Sequence, residues 1–301
     1  MGYIYHRPKE IKNLRFLKVQ YINETKIKEL PSTFLQLEQL GSLFFYFKIR
    51  LPDGFGNLKS LQELGGDIIV DSPTMLEYLG KLTELRQLSI DFNYWWDKSY
   101  EAPFLQCLAK LTNLRDLKIT SSLSLGPQQH QIIDISDSSI HHSVPNWQAS
   151  LSSVSTLTIQ LKTLGEGDLQ VLGSLPSLRY LNITVEEPTL ERDERLTTGD
   201  AYPFMGLTCF SLYDDAMEVA FAKGTMPKLR TLSLRFEMQN TKELFGGDMD
   251  LGLENLSSLQ DASIQLVNCY GAVPEEIEAV KDALRKAVTM NPNNPTLRLQ
   301  R

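Results

Sequence analysis

The sequence predicts an α/β solenoid: short coils stacked along one axis into a horseshoe, short parallel strands on the concave face, and a helix capping the C-terminal end. Three observations predict it. First, 48 of the 301 residues are leucine, while the hydrophobic total is an ordinary 42%. Second, the leucines are phased. A phrase L-x-x-L-x-x-L-x-φ, with φ apolar, returns about eleven times at a mean spacing of about 24.5 residues, within the ~20–29 residues of one repeat class. Third, the pattern changes to helical spacing only near the end, from Val273 onward.

The clear copies are Leu37, Leu40, Leu43, Phe45; Leu82, Leu85, Leu88, Ile90; and Leu111, Leu114, Leu117, Ile119. Leu151, Val154, Leu157, Ile159 and Leu175, Leu178, Leu181, Ile183 repeat the phrase. Weaker copies lie at Ile11, Leu14, Leu17, Val19; Leu58, Leu61, Leu64; Leu207, Phe210, Leu212; Leu229, Leu232, Leu234; and Leu256, Leu259, Ala262, Ile264. A cryptic copy is placed at Ile133 and Ile135. The three-residue spacing turns the chain around the end of a coil. The closing L-x-φ has period two, so both apolar side chains share one strand face. One coil cannot bury its own leucines, whereas stacked coils bury them continuously.

Leu30-Pro31, Leu51-Pro52 and Val144-Pro145 each stand six residues before a phrase. On the convex side the missing proline N–H costs nothing. Phe34 and Phe55, three residues after their prolines, are placed to fill the outer part of the coil. The repeats therefore span 1–272, with loop extensions near 91–103, 121–145, 186–203 and 239–252. Residues 273–301 form a capping helix and tail. Its start is marked by Pro274, Glu275 and Glu276 at the positive end of the helix dipole, its buried face by Ile277, Val280, Leu284 and Val288, and its stop by Asn291-Pro292. No comparable cap precedes Ile11, so the N-terminal coils are expected to continue from, or dock against, another domain.

Composition narrows the function. The net charge is -7, from 30 basic and 37 acidic residues, which opposes nucleic-acid binding. No apolar run is long enough to span a membrane, and Met1–Glu10 holds no signal-peptide core. The expected compartment is therefore the cytoplasm. Cys107, Cys209 and Cys269 are odd in number and widely spaced, which argues for reduced structural thiols. No phosphate-binding loop, H-E-x-x-H or nucleophile-elbow motif occurs. His141-His142 and the acidic run Glu186–Glu194 read as loop residues. No catalytic, cofactor or metal site is expected. Residues 1–62 are the exception to the acidic balance, with ten Lys/Arg against five Asp/Glu. They read as a solvated edge or as a docking face.

What remains is a surface. Strand residues alternating with the buried leucines point outward. The expected protein-binding set is Phe16, Lys18, Phe44, Tyr46, Gln87, Ser89, Asp91, Asp116, Lys118, Tyr180, Asn182, Tyr213 and Arg235, joined by Tyr94, Trp95 and Trp96 of the nearby loop. Gln20, Ser42, Glu63 and Asp67 fall on the same face. Phe16, Phe44 and Tyr46, on consecutive units, are aromatic where a merely solvated face would be polar, and aromatics dominate protein hot spots. Trp95 and Trp96 either join that site or fold back to pack their own loop.

The stretches Lys28-Glu29-Leu30-Pro31-Ser32-Thr33-Phe34-Leu35-Gln36-Leu37, Arg50 to Leu61 and Leu79 to Arg86 resemble the leucine-rich repeats of grass-type plant disease resistance receptors. The ending Ala287–Leu299, with Met290-Asn291-Pro292-Asn293-Asn294-Pro295, is similar to the C-terminus of that group. The family joins a coiled coil and a nucleotide-binding domain to the repeats. The resemblance implies that the repeats sense a pathogen effector or a guarded host protein. It also implies that their first units hold the nucleotide switch off, with an upstream nucleotide-binding domain docked on the basic N-terminal repeats. This sequence lacks the coiled coil and the phosphate-binding loop, so nucleotide binding is not carried over. The other reading from the residues is a stand-alone leucine-rich-repeat signalling scaffold.

Overall fold

In the computed structural model, residues 3–4, 18–22, 28–92, 98–120, 150–186, 194–199, 203–246, 248–267 and 274–300 are described. The chain divides into two compact units, Met1–His141 with Ala149–Val154, and His142–Gln148 with Ser155–Arg301.

In the first unit six strands follow one another in chain order: β1 (Tyr3–Ile4), β2 (Val19–Ile22), β3 (Ser42–Phe45), β4 (Glu63–Ile69), β5 (Gln87–Asp91) and β6 (Asp116–Thr120). Each pairs in parallel with the next. The leucine phrases explain the coils. Leu40, Leu61, Leu85 and Leu114 each donate their N–H to the leucine three residues earlier, at 2.9–3.0 Å. The L-x-x-L spacing is thus a hydrogen-bonded turn, with both leucines buried. One carbonyl per coil then accepts two N–H groups from the next coil. Lys18 O serves Gly41 and Ser42, Gly41 O serves Gln62 and Glu63, and Gln62 O serves Arg86 and Gln87.

The convex side carries short 3-10 turns at Ser32–Gln36 and Phe55–Asn57 and the helices α1 (Pro73–Leu79) and α2 (Lys98–Lys110). Phe34 and Phe55 are buried there, as the Leu-Pro phrases predict. α2 begins inside the segment expected as a loop extension, and Tyr100 and Phe104 on it bury their rings edge-on against Phe92. Residues 121–145, including the cryptic copy and Val144-Pro145, lie outside the described residues.

One strand departs from the sequence reading. β2 was expected to turn Leu17 and Val19 inward, with Phe16, Lys18 and Gln20 outward. Instead Val19 pairs with Ser42 and Tyr21 with Phe44. Val19 is 37% exposed and Ile22 is buried. An odd-numbered slip exchanges the two faces of a strand. Gln20 therefore falls in register with Leu43. Lys18 is exposed just ahead of the strand, and Phe16 lies outside the described residues.

In the second unit the strands β7 (Thr156–Leu161), β8 (Tyr180–Val185), β10 (Cys209–Tyr213), β12 (Thr231–Glu237), β13 (Asp261–Val267) and β14 (Thr296–Gln300) pair in parallel in that order. β9 (Leu196–Thr198) and β11 (Val219–Phe221) form a separate parallel pair. The inward column runs Leu157, Leu181, Phe210, Leu232 and Ala262, all buried. Three helices complete the unit: α3 (Glu166–Gly173), α4 (Met238–Phe245) and α5 (Pro274–Met290). β9 and α4 occupy parts of the expected extensions 186–203 and 239–252. Arg195 is not the solvated loop residue its acidic neighbours implied. It donates from Nε to Met217 O at 2.9 Å, pairs with Asp248 at 3.2 Å, and lies 4.4 Å from the Phe245 ring centroid.

α5 starts at Pro274 and buries Ile277, Leu284 and Val288, as its spacing predicts. The tail after it is a strand rather than a loose end, since β14 pairs with β13. Asn291 explains the Asn-Pro phrase. Its buried Nδ2 donates to Leu253 O at 2.8 Å and Leu256 O at 3.0 Å, tying the end of α5 to the preceding coil.

Among the buried polar groups of this unit, Asp214 stands in a column of apolar residues. Asp214 follows β10 where the neighbouring strands place Leu161, Val185, Phe236 and Leu266, all buried. Its Oδ1 accepts the Ala216 N–H at 3.2 Å, while Oδ2 is buried and accepts no hydrogen bond from the described residues. Burial, and then the nearby buried Glu218, push its carboxyl from 3.8 up to about 8.

Two outcomes are expected. Asn291→Ala should cost about 2–3 kcal/mol, because two buried carbonyls lose their donor, measured as a loss in thermal unfolding. For Asp214 the folded chain holds a proton that the unfolded chain has already released. The stability it contributes is full below pH 3.8 and lost as pH rises towards 8. Asp214→Asn should therefore raise Tm over wild type by about 5 °C or more at pH 8, with the difference shrinking towards pH 4. A difference independent of pH would contradict this.

Candidate protein-recognition face

The strand face of the first unit carries an aromatic ridge. The Tyr21 and Phe44 rings stack with centroids 4.9 Å apart and 17° between their planes. Phe44 in turn covers Gly65, its partner in register. A Cβ on Gly65 would stand 2.5 Å from the Phe44 ring, so only glycine leaves the ring its place. Tyr46 follows directly after β3, two residues beyond Phe44, and is 73% exposed. Val19 adds apolar surface at the other end. The resulting strip follows two consecutive coils and is seated on Gly65 of the third, with Lys18 exposed beside it.

Gly65 and its neighbour do more than make room. Leu64 pairs with Leu88 but Ile68 with Ile90, so Gly65, Gly66 and Asp67 all stand against Ser89. This bulge needs a positive φ of 105° at Gly66, a conformation open to glycine. It brings Asp67 over the next two strands. Asp67 Oδ1 accepts from Ser89 Oγ at 2.9 Å and from Lys118 Nζ at 2.8 Å.

The sequence-predicted residues divide accordingly. Phe44 is half-buried and Tyr46 open. Gln87, Asp116 and Lys118 are partly exposed. Ser89 and Asp91 are not surface groups, contrary to expectation. Asp67 covers Ser89, and Asp91 is 0% exposed because Lys48 Nζ lies 2.9 Å from its Oδ2 and Thr120 Oγ1 donates to it at 3.2 Å. Long side chains from neighbouring coils fold over a short row, which alternation alone cannot show. Tyr94, Trp95 and Trp96 lie outside the described residues.

On the second unit Tyr180 is 51% exposed, Arg235 is exposed and Tyr213 is half-buried. Asn182 sits in a row of small polar residues, Thr158, Ser211, Ser233 and Ser263. Its Oδ1 is buried and accepts no hydrogen bond from the described residues. Val19, Tyr21, Gly65 and Lys48 are members of the first unit's face that the sequence reading missed. The Gly65-Gly66 pair, standing where the phrase should end in an apolar residue, was the available signal.

The arrangement presents an aromatic surface beside paired charges. Among the described residues, no three His, Cys, Asp or Glu side chains come together as metal ligands, and no helix is long and apolar enough to cross a membrane. Cys107 is buried, and burial pushes its thiol up to about 12, the opposite of a reactive nucleophile.

Known proteins resemble this chain in sequence and in fold. A disease resistance protein of rice (RGA5, Oryza sativa subsp. japonica) is 25% identical over 95% of this chain. The chain spans 27% of that relative's length. The resemblance to plant resistance proteins read from the repeats and the ending is thus met by a rice relative. Among solved structures, an internalin from Listeria monocytogenes aligns with 95% of this chain and 68% of its own, at 15% identity and a TM-score of 0.52. A leucine-rich-repeat protein from Leptospira interrogans covers 99% of this chain and 81% of its own, at 17% identity and a TM-score of 0.42. The internalin match bears out the α/β repeat fold. The family model described as a leucine-rich repeat region matches residues 3–297, and the coils it describes are those traced above, so the chain belongs to the leucine-rich-repeat family.

Proposed function

We propose that this chain is the non-enzymatic recognition domain of a plant intracellular immune receptor, which senses a pathogen effector or a guarded host protein in the cytoplasm. The observation that carries this reading is the ridge of Tyr21, Phe44 and Tyr46 on the strand face of the first unit. The stacked Tyr21 and Phe44 rings are held rigid and lose little entropy on binding, Tyr46 adds exposed aromatic surface, and such groups anchor protein interfaces. The rice relative supports the immune setting. Tyr180 and Arg235 give the second unit's face anchors of the same kind. The exposed Lys18 and Lys28, in a stretch rich in basic residues, support docking of a nucleotide-binding domain that the repeats would hold inactive.

The face is tested by capturing partners from infected and healthy leaf extract on the immobilised chain. Tyr46→Ala should lower recovery of the principal partner about tenfold, the loss expected of a hot-spot aromatic, with Tm unchanged. Recovery unaffected by both Tyr46→Ala and Arg235→Ala would contradict the reading. In the same format, a separately expressed nucleotide-binding domain should bind less at high salt and less to a Lys18→Glu, Lys28→Glu chain. Indifference to both would exclude the docking.

A further inference from the structure

α5 has three faces, and only two are accounted for. Ile277, Leu284 and Val288 pack inward. Glu278, Asp282 and Arg285 form an outer ion-pair cluster, with Arg285 Nη1 2.6 Å from a carboxylate oxygen of each acid. The third face is apolar and open. Ala279, Ala283 and Ala287 recur every four residues along it, flanked by Val280 and by Met290, which is 63% exposed.

This face forms one wall of a groove of about 440 Å³. The opposite wall is the segment of Asp248, Met249, Asp250 and Glu254. That wall is held in place. Asp248 Oδ1 accepts the Asp250 N–H at 2.9 Å and Asp250 Oδ1 the Gly252 N–H at 3.1 Å. Gly252 has a φ of 69°, and a Cβ there would collide with Phe221 O. The groove floor is therefore alanine, valine and methionine. Its rim carries the carboxylates of Asp250 and Glu254 against the ammonium of Lys286, while Asp248 is already paired with Arg195.

We propose that this groove binds the apolar stripe of a basic amphipathic helix from a partner protein. The alanines leave room for a second helix axis at the usual ~8–10 Å. Val280 and Met290 reward apolar side chains, and the acidic rim selects lysine or arginine on the flanks of the incoming helix. Recognition here uses α5 and is separate from the strand face, so either can fail without the other.

The test uses the full chain and two labelled helical peptides of about 18 residues, sharing a Leu/Ala stripe but flanked by Lys/Arg in one and Glu in the other. Fluorescence anisotropy should show the basic peptide binding at least about tenfold more tightly than the acidic one, and more weakly as salt is raised. Ala283→Arg, at an exposed position, should weaken the basic peptide about tenfold by filling the groove, with Tm unchanged. The double reversal Asp250→Lys, Glu254→Lys should invert the preference between the peptides. No binding, equal binding of both peptides, or binding indifferent to both variants would overturn the proposal. So would a dimer in sedimentation that Ala283→Arg dissolves, since the groove would then be filled by a second copy.

Discussion

No coil of this protein can cover its own leucines. Each places a ring of apolar side chains at its centre and leaves the flat sides of that ring open, so only the coil before and the coil after remove it from water. The consequences run through each unit. The strands are parallel because every coil repeats the same path. Their hydrogen bonds are those of neighbours, with one carbonyl per coil serving two amides of the next. Leucine dominates because the same site recurs and must accept a similar shape each time. Where it does not, as at Ala262 or Phe210, the substitution remains apolar and buried.

The same constraint frees the opposite strand face. With stability carried by inward positions, outward ones can be polar in one coil and aromatic in the next. Most of that freedom in the first unit is spent on internal pairing. Asp67 reaches Ser89 and Lys118, and Lys48 closes over Asp91. What is left uncovered is the Tyr21–Phe44–Tyr46 ridge, and it depends on a missing side chain at Gly65. Asp214 breaks the apolar rule in the second unit, and burial, then the neighbouring Glu218, raises its carboxyl far above the usual range.

Much of this was legible from residue spacing. The phrase located the coils, the Leu-Pro pairs located Phe34 and Phe55, and the helical spacing from Ile277 to Val288 located α5. The failures share a cause. In the first coil Leu14 and Leu17 fit the phrase in two phases, and only pairing with β3 decides that Val19 and Tyr21 face outward. Asp91 and Ser89 obeyed alternation yet are covered, because burial depends on how far side chains of other coils reach. Only one wall of the α5 groove has a periodic signature, the alanines at every fourth residue. The groove arises where a helix meets a loop from elsewhere in the sequence.

The dependence of each coil on its neighbours can be measured directly by native-state hydrogen exchange on a Leu64→Ala chain. Leu64 is fully buried in β4, between β3 and β5. If coils are stable only as neighbours, amides of β3 and β5 should lose protection together with those of β4, while Tm falls by a few degrees. Loss of protection confined to β4 would mean that each coil stands alone, and would contradict the account.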